Sequence, residues 1–324
     1  MLYAGYDIGG TKCAVSLGRV ENGALEVLAK SKFPTEGSPD KVIDGLAAAL
    51  FALLSEQRLS PRDVRAAGVS CGGPLDSRRG LVLSPPNLPG WDEIPVVRLL
   101  EEKTGIPTRL QNDANACAVA EWKFGAGRGT RDMAFLTFGT GMGGGLIIDC
   151  RLYSGTNDLA GEVGHVRLAE DGPEAYGKKG SFEGFCSGTG IALIAKRILY
   201  EKFSLGQPVT FCPDIADVDR ITAKDVAEAA WAGDKTAIKI FEISGEYHGK
   251  GLAVLIDVLN PEMIVIGSIY ARCRQFIEPA CMMDSRREAL EAAGAVCQIV
   301  PAGLGDQVGD YASLSVAIVG NEKD

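Results

Sequence analysis

The sequence predicts an α/β protein of two lobes built on a duplicated core. Three observations carry this. Apolar, β-branched runs alternate with amphipathic helical stretches along the whole chain, the pattern of layered α/β domains. The 324 residues exceed what one hydrophobic core usually organises. A strand–glycine turn–strand unit also occurs twice, about 130 residues apart, which reads as an internal duplication.

The first copy runs from Leu2 to Leu17, with Asp7 closing the first strand and Gly9, Gly10, Thr11 and Lys12 following in the turn. Bare glycine backbone lets amide N–H groups converge on a phosphate. A carboxylate beside such a cradle is a handle for Mg²⁺ through water, or it caps the turn; the residues leave both open. Lys12 is a phosphate ligand or a solvated strand lysine. A strand over Leu25–Lys32 follows, and Ser38-Pro-Asp40 opens a helix to about Leu59, with Val42, Ile43, Leu46, Leu50, Leu53 and Leu54 on one face.

Val64–Ser70 reads as a strand entering Cys71-Gly-Gly-Pro74. Gly68-x-Ser70-x-Gly72 matches the nucleophile elbow of serine hydrolases, which needs a helix directly after the serine. Gly72-Gly-Pro-Leu-Asp76 reads instead as a turn, and only His165 and His248 could complete a triad. A hydrolase using Ser70 is the competing enzyme class. After Gly80–Leu83, the Pro-rich loop Ser84 to Trp91 either offers Asn87 and Trp91 to a small polar ligand or merely connects.

A short helix (Val96 to Lys103) and a strand (Thr108 to Leu110) lead to Gln111-Asn-Asp-Ala-Asn115, with a helix from Ala116 to Phe124. Asn112 and Asp113 stand at a strand end before a helix, where an acid can cap the helix or face a cleft. If a hydroxyl is phosphorylated, a carboxylate must accept its proton, and Asp113 is placed for that. Catalysis and capping both stand at this point.

The second copy, Ala134 to Asp149, carries Gly139, Thr140, Gly141, Gly143, Gly144 and Gly145 in its turn. A hairpin needing only positive φ would use two glycines; five in seven residues point to phosphate contact. Gly139-x-Gly141-x-x-Gly144 also satisfies the dinucleotide fingerprint, but that motif must open a helix and Leu146-Ile-Ile148 continues as a strand. One such loop from each half, closing on one nucleotide, places the ligand in an interdomain cleft. Gly172 to Lys178 approaches a P-loop, but Lys179 stands where Ser or Thr is required. Helices are expected over Ser187–Phe203, from Thr222 with Asp225 in a capping box, over Asp234–Leu259, over about 274–293 and over Tyr311–Val319. Strands are expected at Pro261–Gly267 and Val296–Pro301.

Composition narrows the partners. Net charge −9 disfavours nucleic acid, whose phosphates demand clustered Lys and Arg. Nine dispersed cysteines without a CxxC pair read as free thiols in a reducing compartment. No apolar run approaches the ~18 residues of a membrane span, and no secretory leader opens the chain, so a cytoplasmic protein without a membrane partner is expected.

Asp7-Ile-Gly-Gly-Thr-Lys12, Gly72-Gly-Pro74, Ser84-Pro-Pro-Asn-Leu-Pro-Gly-Trp91, Asn112-Asp-Ala-Asn-Ala116, Gly139-Thr-Gly-Met-Gly-Gly-Gly145 and Ala160-Gly-Glu-Val-Gly-His165 resemble, in this order, the motifs of the ROK family (repressor, open reading frame, kinase). The resemblance implies a two-lobed actin-like ATPase (ribonuclease H-like) fold. Its lobes would be residues 1–111, completed by the C-terminal helix at about 308–324, and residues 112–307. It implies an ATP-dependent kinase acting on a hexose hydroxyl, glucose as first choice, with Mg²⁺ as cofactor and a homodimer by analogy. Asp113 resembles the catalytic base. Gly73, Asn87, Asn112, Glu162, His165 and Glu183 resemble sugar ligands, and Gly267-Ser268 a further nucleotide contact beside the two glycine turns. A sugar-responsive regulator of the same family is the alternative; its helix-turn-helix would precede Asp7, where six residues stand. The family's zinc motif, C-x-C-G-x-x-G-C, is altered: its thiolate positions are Glu174, Tyr176 and Ser181, so no structural zinc is expected.

Overall fold

The structure, a computed structural model, describes residues 1–321, with side chains to residue 319. The C-terminal end of the helix expected at about 308–324 lies outside the described residues. The chain forms two compact units. One comprises Met1–Phe135, Gly145–Gly161 and the chain from Gly303 onward; the other comprises Leu136–Gly144 and Glu162–Ala302.

The first unit is built on a five-stranded sheet. Strands β1 (Leu2–Ile8), β2 (Lys12–Glu21) and β3 (Ala24–Pro34) form an antiparallel meander; helix α1 (Pro39–Glu56) then returns the chain to β4 (Val64–Cys71). A two-stranded ribbon, β5 (Leu75–Asp76) and β6 (Leu81–Val82), and helix α2 (Val96–Thr104) precede β7 (Thr108–Asn112) and helix α3 (Asp113–Phe124). The sheet order is β3-β2-β1-β4-β7, with β1, β4 and β7 parallel. Helix α1 buries Val42, Ile43, Leu46, Leu50, Leu53 and Leu54, the face the periodicity marks, and Ser38 caps it by accepting the Lys41 N–H. These side chains join Tyr6, Leu17, Val69 and Leu100 in one core. Trp91 belongs to that core at 2 % exposure, so it is no ligand surface; its size outweighed the Pro-rich loop that carries it.

The second sheet repeats the first in strand order. Strands β8 (Met133–Phe138), β9 (Met142–Ile148) and β10 (Arg151–Tyr153) are followed by the ribbon β11 (Glu174–Ala175) and β12 (Lys178–Lys179), then by helices α4 (Phe182–Cys186), α5 (Gly188–Ser204), α6 (Ala223–Trp231) and α7 (Lys235–Leu259). Strand β13 (Met263–Ser268), helices α8 (Ile269–Arg272), α9 (Arg274–Glu288) and α10 (Glu291–Gly294), strand β14 (Gln298–Pro301) and helix α11 (Val308–Asn321) complete the chain. The order β10-β9-β8-β13-β14 is again third, second, first, fourth, fifth. The duplication inferred from two glycine turns thus extends to the topology of both sheets.

Three helical expectations shift. The stretch 274–293 breaks after Glu288: Ala289 is extended, and the Leu290 N–H donates to the Asp257 carboxylate of α7 at 2.8 Å. Phe182–Cys186 is a helical turn of its own before Ser187 caps α5. Helix α3 starts at Asp113, three residues before the apolar pattern, because Asn112 supplies its cap. Ser70 lies within β4 at 2 % exposure, and the chain continues into Cys71 and a turn. No helix follows it, so the hydrolase elbow is absent.

Helix α11 lies against the first sheet where Gly5 and Gly68 remove the side chains. A Cβ on Gly5 would stand 2.3 Å from Ser313 Oγ, and one on Gly68 2.2 Å from the Ser313 carbonyl. The return of the chain at Gly303 is pinned by Glu121, which is fully buried in α3. Its Oε2 accepts the Ala126 and Gly303 N–H groups at 2.9 and 3.0 Å, and its Oε1 accepts Leu304 N–H at 2.9 Å. Among the described residues no helix is long and apolar enough to cross a membrane.

Glu121→Ala strands three N–H groups around an emptied space. We expect it to lower unfolding stability by about 3 kcal/mol, read as a reduced urea midpoint. A loss within ~0.5 kcal/mol, the range of ordinary surface substitutions, would show that Glu121 does not hold this junction.

Candidate active site

In the first unit, strand register assembles the polar groups. Asp7 pairs across the parallel ladder with Ser70, and Ser70 with Gln111; one step on, Ile8 pairs with Cys71 and Cys71 with Asn112. Asp7, Asn112 and Asp113 therefore gather at the C-terminal ends of three adjacent parallel strands, where α/β sheets place ligands. Asn112 Oδ1 caps α3 by accepting the Ala114 and Asn115 N–H groups at 3.0 and 3.4 Å. Asp113 Oδ1 accepts the N–H of its neighbour Ala114 at 2.8 Å, and water reaches the side chain. Capping thus falls to Asn112. Surrounding protein still raises the Asp113 carboxyl above the usual range, burial being the main cause.

The half-buried Asp7 carboxyl is pushed up to about 6, first by burial, then by the negative charges of Asp113 and Asp310, with Lys30 and Lys12 partly offsetting them. Asp310, in the first turn of α11, is ion-paired with Lys30 and accepts a long hydrogen bond from Ser16 Oγ. The first glycine turn is closed by Gly9 N–H donating to the Lys12 carbonyl at 3.2 Å. Thr35 braces it: its hydroxyl donates to the Gly9 carbonyl at 2.6 Å and its N–H to the Thr11 carbonyl at 3.0 Å. Thr11 and Lys12 are exposed.

Asn87 reaches the same region. A Cβ on Gly10 would meet the Asn87 carbonyl at 2.5 Å, and one on Gly72 would lie 3.5 Å from the Asn87 amide. A Cβ on Gly73 would stand 3.2 Å from Asn112 Nδ2. The structure thus brings Gly10, Gly73, Asn87 and Asn112 together within one unit.

Gln111 is a residue the sequence left without a role. Its Oε1 accepts Asn112 N–H at 2.8 Å and Asn115 Nδ2 at 3.1 Å, so a buried amide holds the start of α3 from beneath. Thr35 was equally silent, since its partners are more than twenty residues away; only its position after β3 could have drawn notice.

The second glycine turn, Gly139–Gly144 in the second unit followed by Gly145 where the chain re-enters the first, carries its own set. Gly139, Gly141, Gly143, Gly144 and Gly145 all avoid positive φ, so left-handed freedom is not why glycine stands there. The Gly139 carbonyl accepts Gly188 N–H at 2.8 Å, and the Thr140 carbonyl accepts the Thr189 hydroxyl and N–H at 2.9 and 3.2 Å. The start of α5 therefore braces this turn as Thr35 braces the other. Glu183 Oε2 accepts Met142 N–H at 2.9 Å, in space a Gly141 Cβ would narrow to 3.3 Å. A Cβ on Gly164 would lie 3.4 Å from the Glu183 and Met142 side chains, so the Glu162–His165 loop packs on the same turn. Gly267 and Ser268 close β13, and Ser268, its last residue, adopts φ 59°, a conformation that costs a non-glycine residue ~1–3 kcal/mol.

His165 is exposed and held by the β11–β12 ribbon. Lys178 Nζ donates to the His165 carbonyl at 2.7 Å, and the Tyr176 ring meets the imidazole edge-on at 5.4 Å. Tyr176 and Gly177 both take positive φ in the ribbon's turn, while Ser181 caps α4 by accepting Gly184 N–H at 3.1 Å. The three positions that carry thiolates in the zinc motif thus serve a ribbon strand, a ring contact and a helix cap. The other histidine, His248, is fully buried beside Phe138, its Nδ1 at 2.8 Å from the Ser244 carbonyl; burial lowers its pKa to about 4 and keeps it neutral.

The ROK family model matches residues 3–317. A glucokinase of Halalkalibacterium halodurans is 34 % identical over 269 residues, 82 % of this chain and 79 % of that protein. An N-acetylmannosamine kinase of Salmonella gallinarum is 38 % identical over 273 residues, 84 % of each. The crystal structure of a ROK family glucokinase from Streptomyces griseus in complex with glucose and AMPPNP matches with a TM-score of 0.76 at 30 % identity, covering 99 % of this chain and 100 % of that one.

The raised Asp7 pKa has a thermodynamic consequence. The folded state holds this proton more tightly than the unfolded chain, so stability present at low pH is lost as pH rises from about 4 through about 6. Asp7→Asn removes that penalty. Allowing for partial exposure, we expect a gain on the order of 1–3 kcal/mol in urea unfolding at pH 7.5 and little gain near pH 4. A gain equal at both pH values would contradict the assigned cause.

Proposed function

The chain belongs to the ROK family, and we propose that within it this protein transfers the γ-phosphoryl group of ATP to a hydroxyl of a hexose, with glucose the leading substrate. Its fold is the actin-like ATPase fold of ROK kinases. The observation that carries the mechanism is the division of labour at the start of α3. Asn112 satisfies the helix, which leaves Asp113 Oδ2 available to accept the sugar hydroxyl proton as the oxygen attacks phosphorus.

Amide N–H groups of the turns at Gly9, Gly10 and Thr11 and at Gly139, Thr140, Gly141 and Gly143 hold the ATP phosphates, with Lys12 adding positive charge and Gly267 a further contact. The half-buried Asp7, a carboxylate crowded by two others, would hold Mg²⁺ through water, and a cation held there would supply charge neutralisation to the phosphoryl transfer. Gly73, Asn87, Asn112, Glu162, His165 and Glu183 hold the sugar; Glu183 keeps Oε1 for this while Oε2 fixes the Met142 amide. The 38 % identity to an N-acetylmannosamine kinase makes an N-acetylhexosamine the second candidate substrate.

ADP release over a panel of glucose, fructose, mannose, allose, N-acetylglucosamine and N-acetylmannosamine tests the reading. Asp113→Asn should lose on the order of 10²–10⁴ in kcat with ATP binding intact. Near-normal turnover in that variant would refute Asp113 as the base. Lys178→Ala loosens the His165 backbone, and we expect a sugar KM raised several-fold with the ATP KM unchanged; equal effects on both would remove His165 from the sugar site.

A further inference from the structure

A pocket of 870 Å³ lies wholly within the first unit, away from the glycine turns, and its charged lining is one-signed: Arg78, Arg79, Arg109, Lys123 and Arg151. Among the described residues no carboxylate lines it, although the chain as a whole has 42 acidic against 33 basic residues; Arg109 and Lys123 each have a partner of their own. Its apolar wall comes from Leu110, Val119, Trp122 and Val316. The Trp122 indole N–H is already committed to the Thr130 carbonyl at 2.8 Å, and Lys123 Nζ lies 4.5 Å from the centre of that ring. Asp76 and Asp149 touch Arg79 and Arg151, at 3.8 and 3.5 Å. Exposed pairs of this kind contribute ~0–1 kcal/mol and yield to a more highly charged ligand.

Three guanidinium groups, those of Arg78, Arg79 and Arg151, match phosphate oxygens through paired N–H donors, and the volume falls in the ~300–1,000 Å³ range of small-molecule sites. The pocket also reaches the catalytic turn. Gln111 and Ser154 both line it, joined by a hydrogen bond from Gln111 Nε2 to Ser154 Oγ at 3.4 Å, and Gln111 Oε1 is the group that holds the Asn112 N–H. A ligand that engages Ser154 or Gln111 shifts the support beneath Asn112 and Asp113.

We propose that this pocket is an effector site for a small metabolite carrying two or more phosphate groups, coupled through Gln111 to the Asn112–Asp113 turn. The binding half goes beyond the kinase reading; only the effect on turnover rests on it.

Calorimetry on the full chain, without ATP or sugar, uses fructose 1,6-bisphosphate as probe and sulfate at equal ionic strength as control. We expect saturable binding of the bisphosphate, weakened at least about tenfold in the Arg78→Glu/Arg151→Glu double variant, whose basal turnover is unchanged. Gln111→Ala should keep the binding but lose the change in sugar KM, expected at about threefold or more, that the bisphosphate produces in the wild type. Equal binding in the double variant, or equal affinity for sulfate, overturns the site. So does binding seen only in a variant ending at Val319, which would assign the pocket to the chain's own last residues. A bisphosphate response that survives Gln111→Ala overturns the coupling. Binding as expected in a protein that phosphorylates no sugar would refute the kinase reading and leave the site standing.

Discussion

The register of three parallel strands is the constraint on which the first half of the site depends. Because β1, β4 and β7 pair without a slip at their C-terminal ends, residues 7, 70 and 111 fall in one row. A shift of one residue in β7 would turn its side chains to the opposite face and carry Asp113 with them. Burial on both faces of this sheet, by α1 on one side and α11 against Gly5 and Gly68 on the other, makes such a shift expensive. Core packing therefore fixes the position of a carboxylate that is itself reached by water.

Much of this was legible in the sequence, and particular residues show why. Asp7, the two glycine turns and Asn112-Asp113 are local: each lies where an apolar run ends, so pattern alone places it at a strand end. The choice between capping and catalysis for Asp113 was not legible, because either of two adjacent Asx residues can cap the same helix. Only coordinates show Asn112 Oδ1 taking both amides. Glu121 was invisible for a different reason. Its three partners lie five residues away and more than 180 residues away, and nothing in an amphipathic helix marks one glutamate as buried. Trp91 misled because a Pro-rich loop suggests a surface, whereas a large indole is worth more inside.

The glycine turns also separate two physical uses of one residue. Elsewhere in the chain, Gly90, Gly105 and Gly177 serve positive φ. At Gly9, Gly10 and Gly145, glycine serves proximity instead: a Cβ on Gly10 would meet the Asn87 carbonyl at 2.5 Å, and one on Gly145 would meet the Ala118 methyl at 2.6 Å. Each turn is then stiffened from outside by a threonine, Thr35 in one unit and Thr189 in the other, each donating through its hydroxyl to a turn carbonyl. The duplicated topology has thus kept a duplicated brace.

Rigidity is bought at Asp7 and Ser268, where the fold accepts a carboxyl pushed up to about 6 and a non-glycine residue at φ 59°. Neither feature helps folding. A carboxylate crowded by Asp113 and Asp310 is unfavourable in the empty protein and becomes favourable when a cation or a proton joins it. The same logic separates the two histidines. His248, sealed beside Phe138 and held neutral, can only support packing, whereas His165 stands in water with its backbone clamped by Lys178 and its ring against Tyr176. The imidazole is thus exposed yet oriented, and a ribbon with a tight turn supplies that orientation from ordinary side chains.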